Sequence, residues 1–101
     1  MPYLQFDADF PVDDATAQRF QAAVADLYAE QMDADTSYTA VAVRDDVALF
    51  LGRAEGGRTV VLKAEIREGR SVERKRDLAL AVIDLVEEFL DVPQSNQKVV
   101  F

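Results

Sequence analysis

The chain contains no histidine and no cysteine. Nucleophile systems of the Ser–His and Cys–His kinds, histidine-ligated metals and thiolate clusters are therefore excluded. No apolar run approaches the ~20 residues that a membrane-spanning helix needs. The N-terminus has no basic region followed by an apolar stretch, so no secretory signal is expected. These absences predict a cytoplasmic protein, and 101 residues suffice for one domain.

Lysine is also scarce, and the chain is strongly acidic. Three lysines and eight arginines stand against nineteen acidic residues, which gives a formal net charge of −8. Nucleic acid and anionic membranes are therefore poor partners for the surface as a whole. The Asp-rich, Lys-poor surface favours a halophilic source. Three acidic pairs lack the spacing of an EF-hand loop and predict a solvated surface rather than a metal site: Asp13-Asp14, Asp33/Asp35 and Asp45-Asp46.

A proline follows the initiator methionine and opens a candidate strand, Pro2–Asp7. Once Met1 is removed, Pro2 carries a free secondary amine at the chain end. Such an amine can act as a base or a nucleophile, a role that few other groups of this chain can fill. Pro2 is therefore the first candidate catalytic residue.

The chain contains an internal repeat. A shift of 58 residues superposes its two ends without a gap, and each copy reads strand, helix, strand. Apolar residues alternate with polar ones at the start of each copy, as in a half-buried strand. The superposed positions include Leu4 on Leu62, Asp13 on Ser71, Phe20 on Leu78, Val24 on Val82, Met32 on Leu90, Asp33 on Asp91 and Val41 on Val99.

Each predicted helix has a start signal and an apolar stripe. Asp13 and Ser71 are candidate N-cap residues, and Pro93 is expected to end the second helix. The apolar stripes are Ala17, Phe20, Val24, Leu27 and Tyr28 in the first helix and Leu78, Val82, Leu85, Val86 and Phe89 in the second.

These elements divide the single domain, residues 1–101, into a first β-α-β repeat (1–44), a connection (45–58) and a second repeat (59–101). The connection is predicted to hold a short apolar strand, Val47–Leu51, and a turn, Gly52–Arg58. The expected fold is an α/β sandwich with both helices on one face of a sheet. A ferredoxin-like binding module, dimeric and without a role for Pro2, fits the same order of elements and is the alternative.

The loop between strand and helix differs between the two copies. In the second copy it reads Ile66-Arg67-Glu68-Gly69-Arg70-Ser71, whereas the first copy has neither arginine. Two arginines three residues apart can converge on a carboxylate, although they can equally pair with surface acids. A pseudo-two-fold axis between the copies would make their leading strands antiparallel neighbours. Pro2 would then lie near Arg67 and Arg70.

These features together resemble the tautomerase superfamily. The second copy, with segment 67–75 and the helix exit Leu90–Pro93, is similar to the single unit of 4-oxalocrotonate tautomerase. The double-length layout is similar to macrophage migration inhibitory factor. The run Val47–Gly52, the Gly56-Gly57 turn and the two arginines resemble the cis-3-chloroacrylic acid dehalogenases. The resemblance implies a duplicated β-α-β sandwich with two helices on one face of a mixed sheet.

The resemblance also implies a site and an assembly. Pro2 would be the catalytic base, and Arg67 and Arg70 would bind the carboxylate of a small substrate. Lys98 stands where the short tautomerases have an arginine and would contribute a cation from a neighbouring subunit. Tyr28 falls where the dehalogenases have a histidine that orients substrate or water, and a packed core tyrosine is the alternative. The implied assembly is a homotrimer, and no metal or organic cofactor is required.

The chain departs from its relatives at several points. The migration inhibitory factor group has a lysine where this chain has Ala34 or Asp35. The sequence stops at Phe101, without the extension that carries the dehalogenases' activating glutamate and tyrosine. Keto–enol proton transfer on a small 2-oxo or unsaturated acid needs the fewest groups and is the expected reaction. A hydratase, dehalogenase or decarboxylase of the same superfamily and a non-catalytic trimer are the alternatives.

Overall fold

The computed structural model describes residues 2–66 and 69–101 and contains two β-α-β units that share one sheet. Short 3₁₀ turns, Thr36–Tyr38 and Gln94–Asn96, precede the last strand of each unit. The elements are β1 (Tyr3–Ala8), α1 (Asp14–Met32), β2 (Ala40–Arg44), β3 (Val60–Glu65), α2 (Val72–Leu90) and β4 (Gln97–Val100).

The four strands form one mixed sheet in the order β2-β1-β3-β4. Within each unit the two strands are parallel, because the helix between them returns the chain in the same direction. Between the units, β1 and β3 are antiparallel, with Tyr3 opposite Glu65 and Ala8 opposite Val60. The predicted fold class and the antiparallel pairing of the leading strands are thus confirmed.

The helices begin at the two predicted N-caps. The Asp13 carboxylate accepts a hydrogen bond from the backbone N–H of Thr16 at 2.7 Å. The Ser71 hydroxyl accepts one from the backbone N–H of Arg74 at 3.1 Å. Each bond satisfies an amide of the first turn that has no partner within the helix. The hydrogen bond from Thr16 also holds the pKa of the Asp13 carboxyl below its ordinary value.

The two helix C-termini also have the same geometry. Asp33 and Asp91 follow the last helical residues and adopt left-handed backbone conformations, with φ of 52° and 57°. Short polar residues tolerate this conformation better than most side chains do. The second helix therefore ends at Leu90, and Pro93 lies beyond the cap, at the start of the following turn.

The core lies between the helices and one face of the sheet. Each helix buries one residue per turn, as the apolar stripes predict, and the side chains of Phe6 and Phe20 meet edge to face with ring centroids 4.8 Å apart. The buried apolar residues are Leu4, Phe6 and Ala8 of β1, Phe20, Val24, Tyr28 and Met32 of α1, Val60, Leu62 and Ala64 of β3, and Leu78, Val82, Val86 and Leu90 of α2, together with Phe10 and Val92 of the loops.

The opposite face of β1 and β2 is polar. The Tyr3 hydroxyl lies 3.2 Å from Oε1 of Gln5, whose amide nitrogen lies 3.4 Å from Asp7. The Arg44 guanidinium donates to both carboxylate oxygens of Asp7, at 2.6 and 3.0 Å. In the part of the chain that the structure describes, no helix covers this face of the sheet.

The predicted strand Val47–Leu51 is wrong, because these residues form no strand. The backbone N–H of Val47 donates to the Ala8 carbonyl at 2.9 Å, but the pairing goes no further. Both edges of β1 are already occupied by β2 and β3. The segment instead crosses the end of the sheet, where the Phe50 side chain is 93 % exposed.

Within the described ranges, neither helix is long and apolar enough to cross a membrane.

Replacement of Ser71 by Ala should lower the free energy of unfolding by about 1 kcal/mol, because the amide of Arg74 loses its capping acceptor. Ser71→Asn, which keeps an acceptor at the N-cap, should remain close to the wild type. Urea unfolding followed by far-ultraviolet circular dichroism measures both. Equal stabilities of the Ala and Asn variants would show that the cap contributes nothing.

Candidate functional site

A pocket of about 590 Å³ lies where the start of β1 meets the end of α1. It brings together residues from four parts of the chain: the N-terminus, helix α1, the turn that follows it and the loop before α2. The lining residues are Pro2, Tyr28, Asp33, Ala34, Asp35, Tyr38 and Arg70.

Pro2 reaches this pocket because of the register of the sheet. Tyr3 pairs with Glu65 at the last position of β3, so Pro2 lies beside the segment that leaves β3. On its other side, the Pro2 carbonyl accepts a hydrogen bond from the backbone N–H of Ala40 at 3.1 Å. The hydrogen bond to Ala40 and the pairing of the adjacent Tyr3 with Glu65 thus fix the position of Pro2.

Arg70 is anchored by the end of helix α1. Its Nη1 donates to the carbonyl oxygen of Met32, the last residue of that helix, at 2.9 Å. This carbonyl belongs to the negative end of the helix dipole, which favours a nearby cation. A guanidinium carries several donors in a planar fork, and this bond uses one of them. With the residues that the structure describes, the Arg70 side chain forms no other hydrogen bond, so its further donors can reach a ligand in the pocket.

Tyr28 approaches the pocket from the buried face of α1, one turn before Met32. Its side chain is 1 % exposed. Burial raises the pKa of the phenol above its ordinary value, and the charge of Arg70 opposes part of that shift. The hydroxyl therefore stays protonated at neutral pH and can donate a hydrogen bond. Tyr28 packs in the core and also lines the pocket, so a packing role and a role in the site are compatible.

The turn after α1 forms a further wall of the pocket. Asp33 provides the left-handed helix cap, and the Asp35 carboxylate accepts a hydrogen bond from the backbone N–H of Ser37 at 2.9 Å. That hydrogen bond lowers the pKa of Asp35, so its carboxylate is ionised at neutral pH. Tyr38 follows with a side chain that is 63 % exposed.

Sequence reasoning missed the contribution of this turn. Asp33 and Asp35 are exposed, as expected of a solvated surface, but they also line the pocket, and Tyr38 was not singled out. One signal was available: Tyr28 and Met32 lead directly along the buried face of α1 into this turn. Residues just beyond such a helix end are candidates for the wall of the same site.

Two predicted site residues are not among the lining residues. Arg67 lies outside the described residues. Lys98 lies on β4 opposite Val61, and β3 separates this strand from β1. In one chain, therefore, the structure brings together Pro2, Tyr28 and Arg70 but not Lys98.

The second repeat has an equivalent location that is built differently. There Arg58 donates to the carbonyl of Leu90, the last residue of α2, at 3.0 Å, as Arg70 does to Met32. However, the Arg58 guanidinium also lies over the Phe10 ring, 4.5 Å from its centroid. The adjoining pocket is only about 190 Å³. The repeated scaffold thus yields one open pocket and one that an aromatic ring partly fills.

Among residues 2–66 and 69–101, no group of three or more acidic side chains is arranged to hold a metal ion. The lining residues offer a guanidinium, phenols and carboxylates, with the nitrogen of Pro2 in the same pocket.

Comparison with known proteins relates both the sequence and the fold to one family. The family model described as tautomerase enzyme matches residues 61–101, which are the second β-α-β unit without the first residue of β3. No curated protein sequence matches the chain.

Several solved structures match almost the full length of the chain. MIF2 of Leishmania major gives a TM-score of 0.88 at 14% identity and covers 99% of this chain and 85% of its own. A macrophage migration inhibitory factor homologue from Prochlorococcus marinus gives a TM-score of 0.88 at 14% identity. The match covers 98% of this chain and 85% of the homologue. Pt0534, solved after inactivation by 2-oxo-3-pentynoate, gives a TM-score of 0.82 at 16% identity. The match covers 97% of this chain and 81% of Pt0534.

At such low identity these structures establish the fold and not the reaction. The family match over residues 61–101 and the fold shared over nearly the whole length confirm that this chain resembles the tautomerase superfamily.

Proposed function

We propose that this protein is a tautomerase-like isomerase that moves a proton between the keto and enol forms of a small 2-oxo or unsaturated carboxylic acid. The observation that carries the proposal is the convergence of Pro2, Tyr28 and Arg70 on one pocket. These residues supply a base, a hydrogen-bond donor and a carboxylate-binding cation. The reaction needs no metal or organic cofactor.

The base is the amine of Pro2, which becomes free when Met1 is removed. An α-amine has a reference pKa of about 7.7–8.0. The positive charge of Arg70 and partial burial disfavour the protonated form, whereas the carboxylates of Asp33 and Asp35 in the same pocket favour it. The neutral form of the amine accepts the proton. With Met1 retained, the nitrogen of Pro2 is an amide nitrogen and has no such basicity.

Arg70 binds the substrate carboxylate. The hydrogen bond to the Met32 carbonyl fixes the guanidinium before substrate arrives, so less conformational freedom is lost on binding. Arg67, outside the described residues, is proposed as a second ligand of the same carboxylate. Both cations also stabilise the negative charge that develops on the substrate during proton removal.

The proton transfer proceeds in two steps. The Pro2 nitrogen removes the proton from the carbon next to the keto group, and the electrons of that C–H bond form the carbon–carbon double bond of an enolate. The Tyr28 hydroxyl donates a hydrogen bond to the enolate oxygen, where the charge accumulates. The protonated Pro2 nitrogen then returns the proton to the enolate oxygen, which gives the enol and regenerates the free amine. The reverse sequence gives ketonisation, and neither direction changes the oxidation state of the substrate.

The proposed assembly is a homotrimer, as the family resemblance implies. Two features support self-association. Strands β2 and β4 are the edges of the sheet, and large apolar side chains near them are exposed, with Phe50 93 % and Phe101 50 % accessible. In this assembly Lys98 comes from a neighbouring subunit and adds a cation to the site. Three chains of charge −8 give 3 × −8 = −24, so the arginines form a local positive region in an acidic particle.

Pro2→Ala should lower kcat/KM for the ketonisation of phenylenolpyruvate by about 10²–10⁴-fold, since it replaces the positioned general base. The reaction is followed by ultraviolet absorbance. Intact mass establishes that Met1 is absent, and sedimentation establishes that both proteins are trimers. Equal activity of the variant, or full activity of wild-type protein that retains Met1, would exclude the amine mechanism.

In wild-type protein, 2-oxo-3-pentynoate should add to the amine of Pro2 with all the atoms of the compound retained. Intact mass measures the addition, and peptide mapping locates the modified residue.

Arg70→Lys should raise KM for the same substrate by about 10–100-fold, because the charge is kept but the planar fork and its anchor on Met32 are lost. The free-energy equivalent is about 1.5–3 kcal/mol for a hydrogen bond to a charged group. Arg76→Lys, on the exposed surface of α2, is the matched control and should leave KM unchanged. If both variants behave like the wild type, Arg70 does not bind the carboxylate.

Tyr28→Phe should leave the folded structure intact, since the ring still fills its place in the core, and should lower kcat at least about tenfold by removing an enolate donor. Tyr3→Phe, on the opposite face of the sheet, is the control. A Tyr28→Phe enzyme with wild-type kcat would restrict Tyr28 to a packing role.

A further inference from the structure

The wall of the pocket formed by the turn after α1 is acidic. Asp33 and Asp35 carry carboxylates there, and Arg70 is the one cation among the described lining residues. Asp33 and Arg70 also border a neighbouring surface depression, together with Arg74. Asp35 and Tyr38 lie further along the turn. When the carboxylate of a substrate binds Arg70, the rest of the substrate therefore lies near two negatively charged side chains.

From this arrangement we propose that Asp33 and Asp35 determine substrate specificity. They select monocarboxylic acids whose far end is uncharged or cationic, and they reject dicarboxylic acids. This inference rests on the proposed function, because it assumes that the carboxylate of the substrate binds at Arg70. It adds the class of substrate and the residues that distinguish it.

Two observations indicate that the acidic turn faces a ligand and not only solvent. Tyr28 is almost completely buried by the rest of the chain, and what remains of its surface lines this pocket beside the acidic turn. A phenol in that position can donate a hydrogen bond to an acid bound there. In addition, the exposed ring of Tyr38 offers an apolar face on which an aromatic or aliphatic tail, or the face of an ammonium group, can pack.

The size of the effect follows from electrostatics. At about 8 Å, two unit charges in surroundings with an effective dielectric constant of about 20–80 change a binding constant by roughly threefold to thirtyfold. The Debye length is also about 8 Å at physiological ionic strength, so added salt weakens the discrimination. A purely steric preference would not respond to salt in this way.

Asparagine can replace Asp33 and Asp35 without disturbing the backbone conformation that each residue supports. Asp33 occupies a left-handed conformation and Asp35 caps the following 3₁₀ turn. Asparagine tolerates the left-handed region and also serves as a cap. Asp33→Asn and Asp35→Asn therefore remove the charges with little change in shape. Asp26→Asn, exposed on α1 and not part of the pocket lining, gives the same change in net charge and is the control.

The test is binding of three matched unsaturated acids by calorimetry, which does not depend on turnover. The probes are cinnamate, para-carboxycinnamate and para-(aminomethyl)cinnamate, each in low and in high salt. Wild-type protein should bind cinnamate about tenfold more tightly than the dicarboxylate, and the aminomethyl compound at least as tightly as cinnamate. Each Asn variant should reduce that ratio several-fold, the double variant should abolish it, and Asp26→Asn should preserve it.

Two outcomes would overturn the inference in distinguishable ways. If cinnamate binds but the ratio is the same in the Asn variants as in the wild type, carboxylate binding at Arg70 stands and the acidic turn does not set specificity. If folded wild-type protein lacking Met1 binds none of the three acids and does not ketonise phenylenolpyruvate, the proposed function fails and the inference fails with it.

Discussion

The antiparallel pairing of β1 with β3 is the interaction on which the rest of the structure depends. It joins the two β-α-β units into one sheet, because each unit alone contributes only two strands. It also fixes where the chain start lies. The register places Tyr3 against Glu65, so Pro2 is held beside the segment that leads to Arg70. A slip of one residue would exchange the buried and exposed faces of β1 and carry Leu4 and Phe6 out of the core.

A second constraint is the use of arginine at the helix ends. The last carbonyl of α1 accepts from Arg70 and that of α2 accepts from Arg58, so each helix terminus is satisfied by a cation from another part of the chain. The two contacts have different consequences. Arg58 also packs on Phe10, whereas Arg70 borders an open pocket together with Pro2 and Tyr28. Duplication thus supplied two equivalent scaffolds, and the side chains placed there left one of them open.

The third constraint on the site is the distribution of charge in and around the pocket. The chain as a whole repels anions, since its net charge is −8. At high ionic strength the long-range part of this repulsion is screened within a few ångströms, so the arrangement inside the pocket decides what binds. There, a guanidinium held by a helix carbonyl faces a turn that carries two carboxylates. The proposed specificity rests on this arrangement, in which a cation binds the carboxylate of the ligand and two carboxylates lie beside the rest of it.

The sequence by itself determined the features that depend on near neighbours in the chain. The repeat, the caps at Asp13 and Ser71 and the apolar stripes of both helices follow from local hydrogen bonding and helical periodicity. The nearness of Pro2 to the loop of Arg70 followed from the repeat and an assumed two-fold relation. Only the tertiary structure decided that Val47–Leu51 is not a strand, since a strand needs a free sheet edge and β1 has none. It also decided that Asp33, Asp35 and Tyr38 line the pocket, because a pocket wall is defined by what distant segments place opposite it.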